Sequence, residues 1–276
     1  MTPTVRQALA QCGLVPVDAK VLLAHVLECN RAWLAAHEAK GLTQDEASAF
    51  AALCNRRRAG EPVAYLTGTR EFWGLTLAVT PEVLIPRPET ETLVEFALSK
   101  LPRDRSVRVL DLGTGSGAIA LALAHERPDA MVLATDRSDA ALAVARGNAQ
   151  RLKLTNVAFA AADWYAGIPP GSFDLIASNP PYIGAADPHL QEGDLRFEPV
   201  SALSPGADGH SALRAIVGGA RERLVPGGWL VVEHGYDQSA AIQALFRDAK
   251  FSGVVALRDL AGIARVVAGN CVVPTT

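Results

Sequence analysis

A glycine-rich segment at residues 109–118 follows an apolar, strand-like run and leads directly into a helical pattern. It contains Gly113, Gly115 and Gly117, and Asp111 lies two residues before the first glycine. Glycines at a strand-to-helix turn let a ligand approach the backbone, and doubly wound α/β folds bind nucleotide-like ligands there. The spacing Gly-x-Gly-x-Gly differs from the Gly-x-Gly-x-x-Gly pattern that cradles a pyrophosphate. It favours a ligand without phosphate, such as S-adenosylmethionine, whose positive charge Asp111 could offset.

Two acidic residues follow this segment at the ends of the next two predicted strands. Asp136 lies nineteen residues after Gly117, where a carboxylate can accept hydrogen bonds from both ribose hydroxyls. Asp163 and Trp164 come after the third strand and suit the amine and the ring of an adenine. Trp164 by itself fits core packing equally well.

The tetrapeptide Asn179-Pro180-Pro181-Tyr182 ends the fourth predicted strand. Its prolines remove backbone donors and fix φ, so the Asn179 side chain and the Pro180 carbonyl are held rigidly. A planar nitrogen with two hydrogens needs two acceptors, which these oxygens can supply while Tyr182 lies flat against the planar group. Because the lone pair of such a nitrogen is delocalised, its orientation toward a sulfonium methyl is most of the chemical problem. The segment therefore predicts methyl transfer to a nitrogen without the help of a strong base. Alternatively, the four residues form only a turn, since all of them are common in turns.

The predicted secondary structure around these segments changes along the chain, from helices to a hairpin and then to alternating strands and helices. Residues 1–66 have apolar positions at helical spacing, which predicts a small helical bundle. Residues 67–84 contain two short β-like runs around Gly74 and predict a hairpin that connects two domains. From 85 to 276 strands and helices alternate, which predicts βαβ units in a doubly wound, mainly parallel sheet. The predicted strands are 107–110, 131–135, 157–161, 174–178, 229–233, 253–257 and 263–268, and the predicted helices are 118–126, 139–151, 213–224 and 238–249.

Composition narrows the class of protein. The 276 residues are 49% hydrophobic and 20% charged, as in a well-buried globular protein. The net charge of −3 offers no strong basic field for nucleic acid. The four cysteines form no Cys-x-x-Cys pair, so we expect neither a disulfide framework nor a metal site. This use of cysteine is typical of a protein in the reducing cytoplasm. The longest apolar stretch, 118–124, is too short to span a bilayer.

The chain resembles the release factor glutamine methyltransferases, which are class I methyltransferases that modify peptide chain release factors. The resemblance covers most of the chain and is weakest in about the first 50 residues. It runs through residues 60–68, 70–73, 84–91, 111–117, 179–182, 197–199 and 233–235. It implies an N-terminal helical domain that binds the release factor, followed by a seven-stranded, Rossmann-like methyltransferase domain at 85–276.

The same resemblance implies the reaction. The methyl group of S-adenosylmethionine would pass to the side-chain N5 of the glutamine in the Gly-Gly-Gln motif of class 1 release factors, leaving S-adenosylhomocysteine, with no metal. We expect a cytoplasmic monomer that binds neither membranes nor, directly, nucleic acid.

The resemblance also implies roles for individual residues. Arg87 and Glu89 would shape the floor of the cleft, although Pro86 and Pro88 beside them also suit a structural bend. The expected catalytic residues are Asn179, Pro180 and Tyr182, and the expected substrate-binding residues are these three with Pro181, Arg87 and Glu89. The expected cofactor-binding residues are Gly113, Thr114, Gly115, Ser116, Gly117, Asp136, Asp163, Trp164 and Asn179.

Three alternatives stay open at this point. Asn-Pro-Pro-Tyr also occurs in enzymes that methylate exocyclic amines of DNA or RNA bases; these need a basic groove, which the net charge disfavours but the arginines at 56–58 could supply locally. A nicotinamide dehydrogenase is disfavoured by the glycine spacing and by the lack of a catalytic His or Lys motif. A non-catalytic adaptor of the translation machinery would not need the Asn179 segment.

Overall fold

A computed structural model describes residues 2–170 and 173–272. The chain divides into two compact units, one of residues 1–69 with 192–197 and one of residues 70–191 with 198–276. In the described ranges, no helix is both long and apolar enough to cross a membrane.

The first unit consists of short helices around a small core. Thr4 and Thr43 form capping boxes with Gln7 and Glu46, which explains where the first and fourth helices begin. The helices are α1 (Val5–Gln11), α2 (Pro16–Val26), α3 (Arg31–Ala36), α4 (Gln44–Arg58) and α5 (Val63–Thr67). Their apolar faces meet in one buried cluster that includes Val5, Leu22, Leu23, Leu34 and Phe50. The predicted helical bundle is confirmed.

The arginine run at 56–58 is engaged within this first unit. Arg57 pairs with Asp18 at 2.7 Å and with Asp194 at 3.0 Å. Arg58 donates to the Cys12 carbonyl at 2.7 Å. The run therefore ties segments of the unit together and does not form a free basic patch, which weakens the nucleic-acid alternative.

From residue 69 onward, strands and helices alternate as predicted. The two hairpin strands are joined by Trp73 and Gly74, both with positive φ, as in a two-residue type I′ turn. The elements are β1 (Thr69–Phe72), β2 (Leu75–Ala78), α6 (Glu91–Lys100), β3 (Arg108–Leu112), α7 (Ala118–Glu126), β4 (Met131–Asp136), α8 (Asp139–Leu152), β5 (Val157–Ala161), β6 (Phe173–Ser178), α9 (Val200–Leu203), α10 (Ser211–Ala220), β7 (Leu224–Glu233), α11 (Ser239–Asp248), β8 (Ser252–Arg258) and β9 (Ala264–Asn270). A short 3-10 helix, Pro88–Thr90, precedes α6.

Seven of the described strands form one sheet in the order β5-β4-β3-β6-β7-β9-β8. The pairs from β5 to β7 are parallel, whereas β9 is antiparallel to both β7 and β8. Adjacent side chains of β3 point to opposite faces, so Val109 joins the apolar cluster with α6 and α7, and Leu110 joins the one with α10 and α11. Helices thus cover both faces, and the predicted doubly wound fold is confirmed.

The structure differs from the sequence prediction around residues 220–228. The predicted helix 213–224 ends at Ala220, and β7 starts at Leu224 instead of Trp229. Pro226, Gly227 and Gly228 read as a turn in the sequence, but the strand absorbs them as an irregularity in its register against β6. The helix α6 was not among the predicted elements.

Asn148 on α8 connects the hairpin and the glycine-rich segment. It is 1% exposed. Its oxygen accepts from the Ala78 backbone N–H at 2.7 Å, and its nitrogen donates to the carbonyls of Ala78 at 3.0 Å and Ser116 at 2.8 Å. One side chain thus satisfies three backbone groups of two distant segments.

We predict that Asn148→Ala lowers the free energy of unfolding by about 2–4 kcal/mol, because buried backbone groups lose their partners. Urea unfolding would measure this, with Gln150→Ala on the exposed face of the same helix as the control. Equal stability of the two variants would contradict the assigned role.

Candidate active site

Two predicted functional segments leave the sheet side by side. Strands β3 and β6 are parallel neighbours, and Leu112 pairs with Ser178 at their carboxyl ends. The Ser178 hydroxyl donates to the Leu112 carbonyl at 2.7 Å and fixes this register. The glycine-rich turn, 113–117, and the Asn-Pro-Pro-Tyr segment start at the next residues, so both lie at the same edge. Ligands of open α/β sheets bind at such an edge, where the strand order reverses.

The three glycines of the first segment all have positive φ, which favours glycine, but their surroundings differ. A Cβ on Gly117 would lie 2.9 Å from Leu121 Cδ1 and 3.3 Å from the Ala145 Cβ, so a side chain at this positive φ would also press against α7 and α8. A Cβ on Gly115 would have no atom within 4 Å among the described residues. Gly115 therefore leaves its backbone open toward a ligand.

Asp111 holds this turn from inside the protein. It is fully buried and accepts from the Thr114 hydroxyl at 2.6 Å and from the Ala120 N–H at 3.3 Å. Its Oδ1 has no hydrogen-bond partner in the described ranges. Burial raises the pKa of Asp111 to about 7. Asp111 does not line the cavity described below, so the structure places it behind the turn and not against a ligand.

Asp136, the last residue of β4, presents a fixed carboxylate. One oxygen accepts from the Gly115 N–H at 3.0 Å and the other from the Ser138 N–H at 2.9 Å. These bonds fix the plane of the group and leave each oxygen a lone pair for a further donor. The geometry suits two neighbouring hydroxyls.

A cavity of about 400 Å³ lies at this edge, within the usual size of small-molecule sites. The Trp164 ring lies 3.7 Å from the position of a Cβ on Gly113, so it borders the turn. Gly117, Pro180, Tyr182, Arg87 and Glu89 are not among the lining residues. The predicted site residues that line the cavity are Gly113, Thr114, Gly115, Ser116, Asp136, Asp163, Trp164, Asn179 and Pro181. The residues present therefore fit a nucleoside with a polar, phosphate-free tail.

Asn179 lines this cavity, and its Nδ2 donates to the Thr90 hydroxyl at 3.1 Å. Thr90 in turn donates to Glu233 Oε2 at 2.6 Å. The Tyr182 hydroxyl donates to Glu233 Oε1 at 3.1 Å. Asn179 and Tyr182 thus share one buried carboxylate behind the cavity.

Arg87 and Glu89, which were predicted to shape the floor of the cleft, are not among the residues that line the cavity. The Arg87 guanidinium pairs with Glu198, which is 4% exposed. Glu198 also accepts from the Ile85 N–H at 3.0 Å. Arg87 therefore fixes the chain that leads to Thr90, and Glu89 is half-buried in the short 3-10 helix.

No individual role for Thr90, Glu198 or Glu233 was predicted from the sequence. All three belong to motifs that carried the family resemblance, and this was their only signal in the sequence. Their partners lie 51 to 143 residues away, from the Tyr182–Glu233 pair to the Thr90–Glu233 pair. No local pattern could have paired them.

Burial also raises the pKa of Glu233, to about 7, and its own hydrogen bonds from Thr90 and Tyr182 oppose the shift. Burial raises the pKa of the Tyr182 hydroxyl, which therefore remains a neutral donor. Among the described residues, no group of three or more His, Cys, Asp or Glu side chains could hold a metal ion.

The raised pKa of Asp111 predicts a pH-dependent stability. The folded state binds the proton more tightly than the unfolded one, so Asp111 makes the protein less stable as pH rises from about 4 to about 7. Replacement by asparagine removes this decline. Between about pH 5 and about pH 8, Asp111→Asn should gain on the order of 2 kcal/mol relative to wild type in urea unfolding. The same pH dependence in wild type, in Asp111→Asn and in the exposed control Asp139→Asn would refute the assignment.

The chain is similar to known methyltransferases in sequence and in fold. Two family models match, the methyltransferase small domain over residues 90–191 and the PrmC N-terminal domain over residues 4–68. A methyltransferase structure from Pyrococcus furiosus has a TM-score of 0.55 at 21% identity and covers 72% of this chain and 90% of that one. This likeness shows the fold.

Two curated relatives extend over nearly the whole sequence. The release factor glutamine methyltransferase of Xylella fastidiosa (strain Temecula1) is 51% identical, with 98% of each chain covered. The protein of the same name from Bordetella pertussis is 53% identical, with 96% of this chain and 98% of its own covered. Identity of this size over nearly the whole length of both sequences confirms the predicted resemblance: the chain belongs to the release factor glutamine methyltransferase family.

Proposed function

We propose that this protein transfers the methyl group of S-adenosylmethionine to the side-chain N5 of the glutamine in the Gly-Gly-Gln motif of class 1 peptide chain release factors. The observation that supports it best is that Asn179 lines the same cavity as the glycine-rich turn and donates from its Nδ2 to the buried Thr90. Family membership decides against the dehydrogenase and the non-catalytic adaptor.

The glycine-rich turn and the acids around it would hold the methyl donor. When bound, S-adenosylmethionine supplies a methyl group activated by the positive sulfonium. The open backbone at 113–116 would accommodate the donor, and Asp136 would accept hydrogen bonds from its ribose. Asp163 and Trp164, which line the same cavity, would contact the adenine.

The Asn179 segment would hold the glutamine amide. The Asn179 oxygen and the Pro180 carbonyl are the two acceptors proposed for the two amide hydrogens, with Pro181 and Tyr182 beside them. With both N–H groups fixed, the nitrogen can be directed at the methyl group, and positioning of this kind supplies much of the rate. No base has to remove a proton before transfer. Arg87 and Glu89 would support the substrate side indirectly, through the chain that carries Thr90.

The domain roles complete the proposal. Residues 1–66 would recognise the release factor, 67–84 would connect the domains, and 85–276 would carry the reaction. We propose a cytoplasmic monomer that needs no metal and binds no nucleic acid directly.

The proposal predicts one added methyl group on the Gly-Gly-Gln glutamine when a purified release factor is incubated with the protein and S-adenosylmethionine. Asn179→Ala should lower turnover by roughly two orders of magnitude, the scale for loss of one preorganised polar contact. Peptide mass spectrometry would measure both, with RNA and DNA offered in parallel. Methylation of nucleic acid alone would overturn the substrate, and near-normal turnover of the variant would overturn the role of Asn179.

A separate prediction concerns the methyl donor. Asp136→Ala should weaken binding of S-adenosylmethionine by about tenfold or more, because two hydrogen bonds to a charged group are lost. Isothermal titration calorimetry would measure the affinity. Asp139→Ala removes an exposed carboxylate outside the cavity and should leave the affinity unchanged. Equal affinities of the two variants would reject the ribose assignment.

A further inference from the structure

We propose that Thr90 and Glu233 are positioning residues that decide which end of the Asn179 carboxamide faces the substrate glutamine. This inference rests on the proposed function, because it concerns the acceptor for that glutamine. It assigns a task to two buried polar groups, Thr90 in the lining of the cavity and Glu233 behind it.

The geometry is a chain of hydrogen bonds that ends in a carboxylate. Asn179 Nδ2 is 3.1 Å from Thr90 Oγ1, which is 2.6 Å from Glu233 Oε2. Thr90 is 3% exposed and Glu233 is 1% exposed. Solvent is therefore excluded from the hydrogen bond between Thr90 and Glu233. These two side chains must find their hydrogen-bond partners within the protein.

The direction of the chain follows from the number of protons. An ionised carboxylate only accepts, so the single hydroxyl proton of Thr90 points to Glu233. The Thr90 oxygen must then accept from Asn179, which turns the Asn179 nitrogen toward Thr90. The Asn179 oxygen is left toward the cavity and has no hydrogen-bond partner among the described residues. The Asn179 oxygen is therefore available as an acceptor for an amide N–H of the substrate glutamine.

The two ends of a carboxamide have nearly the same shape, so packing alone selects weakly between them. If the group turned over, its NH2 would meet the N–H groups of the glutamine, donor against donor. The loss of one buried hydrogen bond on each side would then oppose binding of the reactive orientation. Glu233 prevents this, because it takes the only hydroxyl proton of Thr90. A reversed Asn179 carboxamide would then place its oxygen against the Thr90 oxygen, and neither atom could donate to the other.

Glu233 is held on several sides, and these groups set its charge. The Tyr182 hydroxyl donates to its other oxygen at 3.1 Å. Arg265 on β9 favours the ionised form, whereas Glu89 on the short 3-10 helix disfavours it. Burial is the largest influence and raises the pKa of Glu233 to about 7. Below that pH the acid can donate to Thr90, whose hydroxyl is then free to donate to Asn179 and reverse the chain.

The decisive variants keep the shape of the site and change only its hydrogen bonds. Thr90→Val removes the hydroxyl from a side chain of equal size, and Thr90→Ser keeps it. We expect Thr90→Val to lower kcat for the release factor by about tenfold to a hundredfold. Thr90→Ser should restore kcat to within about threefold of wild type. Affinity for S-adenosylmethionine should stay within about twofold in both.

Glu233→Gln tests the charge at the end of the chain. In wild type, kcat should fall as the pH drops through about 7, because Glu233 becomes protonated. In Glu233→Gln this fall should be absent and kcat should be low at every pH, since the amide can face Thr90 either way. A purely structural role would lower stability without altering the shape of the pH profile.

The outcomes separate the inference from the proposed function. Absence of glutamine methylation by the wild-type protein would overturn the function itself. Active wild type together with Thr90→Val within threefold of it, or an unchanged pH profile in Glu233→Gln, would overturn the positioning role alone. If Thr90→Val fails to fold in thermal melting, the pH profile of Glu233→Gln decides.

Discussion

The parallel pairing of β3 with β6 is the constraint on which the site depends. These strands are not consecutive in the sequence: the chain first builds β4 and β5 on one side of β3 and then returns to its other side. Because parallel strands all end at one edge, Leu112, Asp136 and Ser178 close neighbouring strands there. The glycine-rich turn, Asp136 and the Asn179 segment thus meet without any long loop to position them.

Buried carboxylates secure the segments that leave this edge. Asp111 anchors the glycine-rich turn, Glu198 anchors the chain before Thr90, and Glu233 anchors Thr90 and Tyr182. Each is nearly or fully inaccessible. Desolvation of a carboxylate is costly unless its oxygens are hydrogen-bonded. The raised pKa values of Asp111 and Glu233 record that cost. The backbone N–H and hydroxyl groups that donate to these carboxylates offset part of this desolvation cost, and the carboxylates in turn fix the positions of those donors.

Local pattern was enough to predict most of the sheet and several of the residues that line the cavity. The helix at 118–126 and the strand at 157–161 were predicted at their observed bounds, since apolar periodicity depends on neighbours within a few residues. The start of β7 was missed because glycine and proline signal a turn, whereas the neighbouring strand accommodates them as an irregularity. Arg87 was expected at the cleft floor, and only the fold reveals Glu198 as its partner. Long-range pairing of this kind leaves no local trace.

The position of Glu233 explains how a charged group can serve a neutral nucleophile. A carboxylate in direct contact with the glutamine would bind its N–H groups, but it would also attract the sulfonium and favour the unreacted complex. In the proposed arrangement Thr90 and Asn179 separate Glu233 from the substrate. Chains of hydrogen bonds polarise one another, so the buried charge strengthens the Asn179 oxygen as an acceptor from a distance. The site thereby gains a strong, oriented acceptor while the surface that meets the substrate stays neutral.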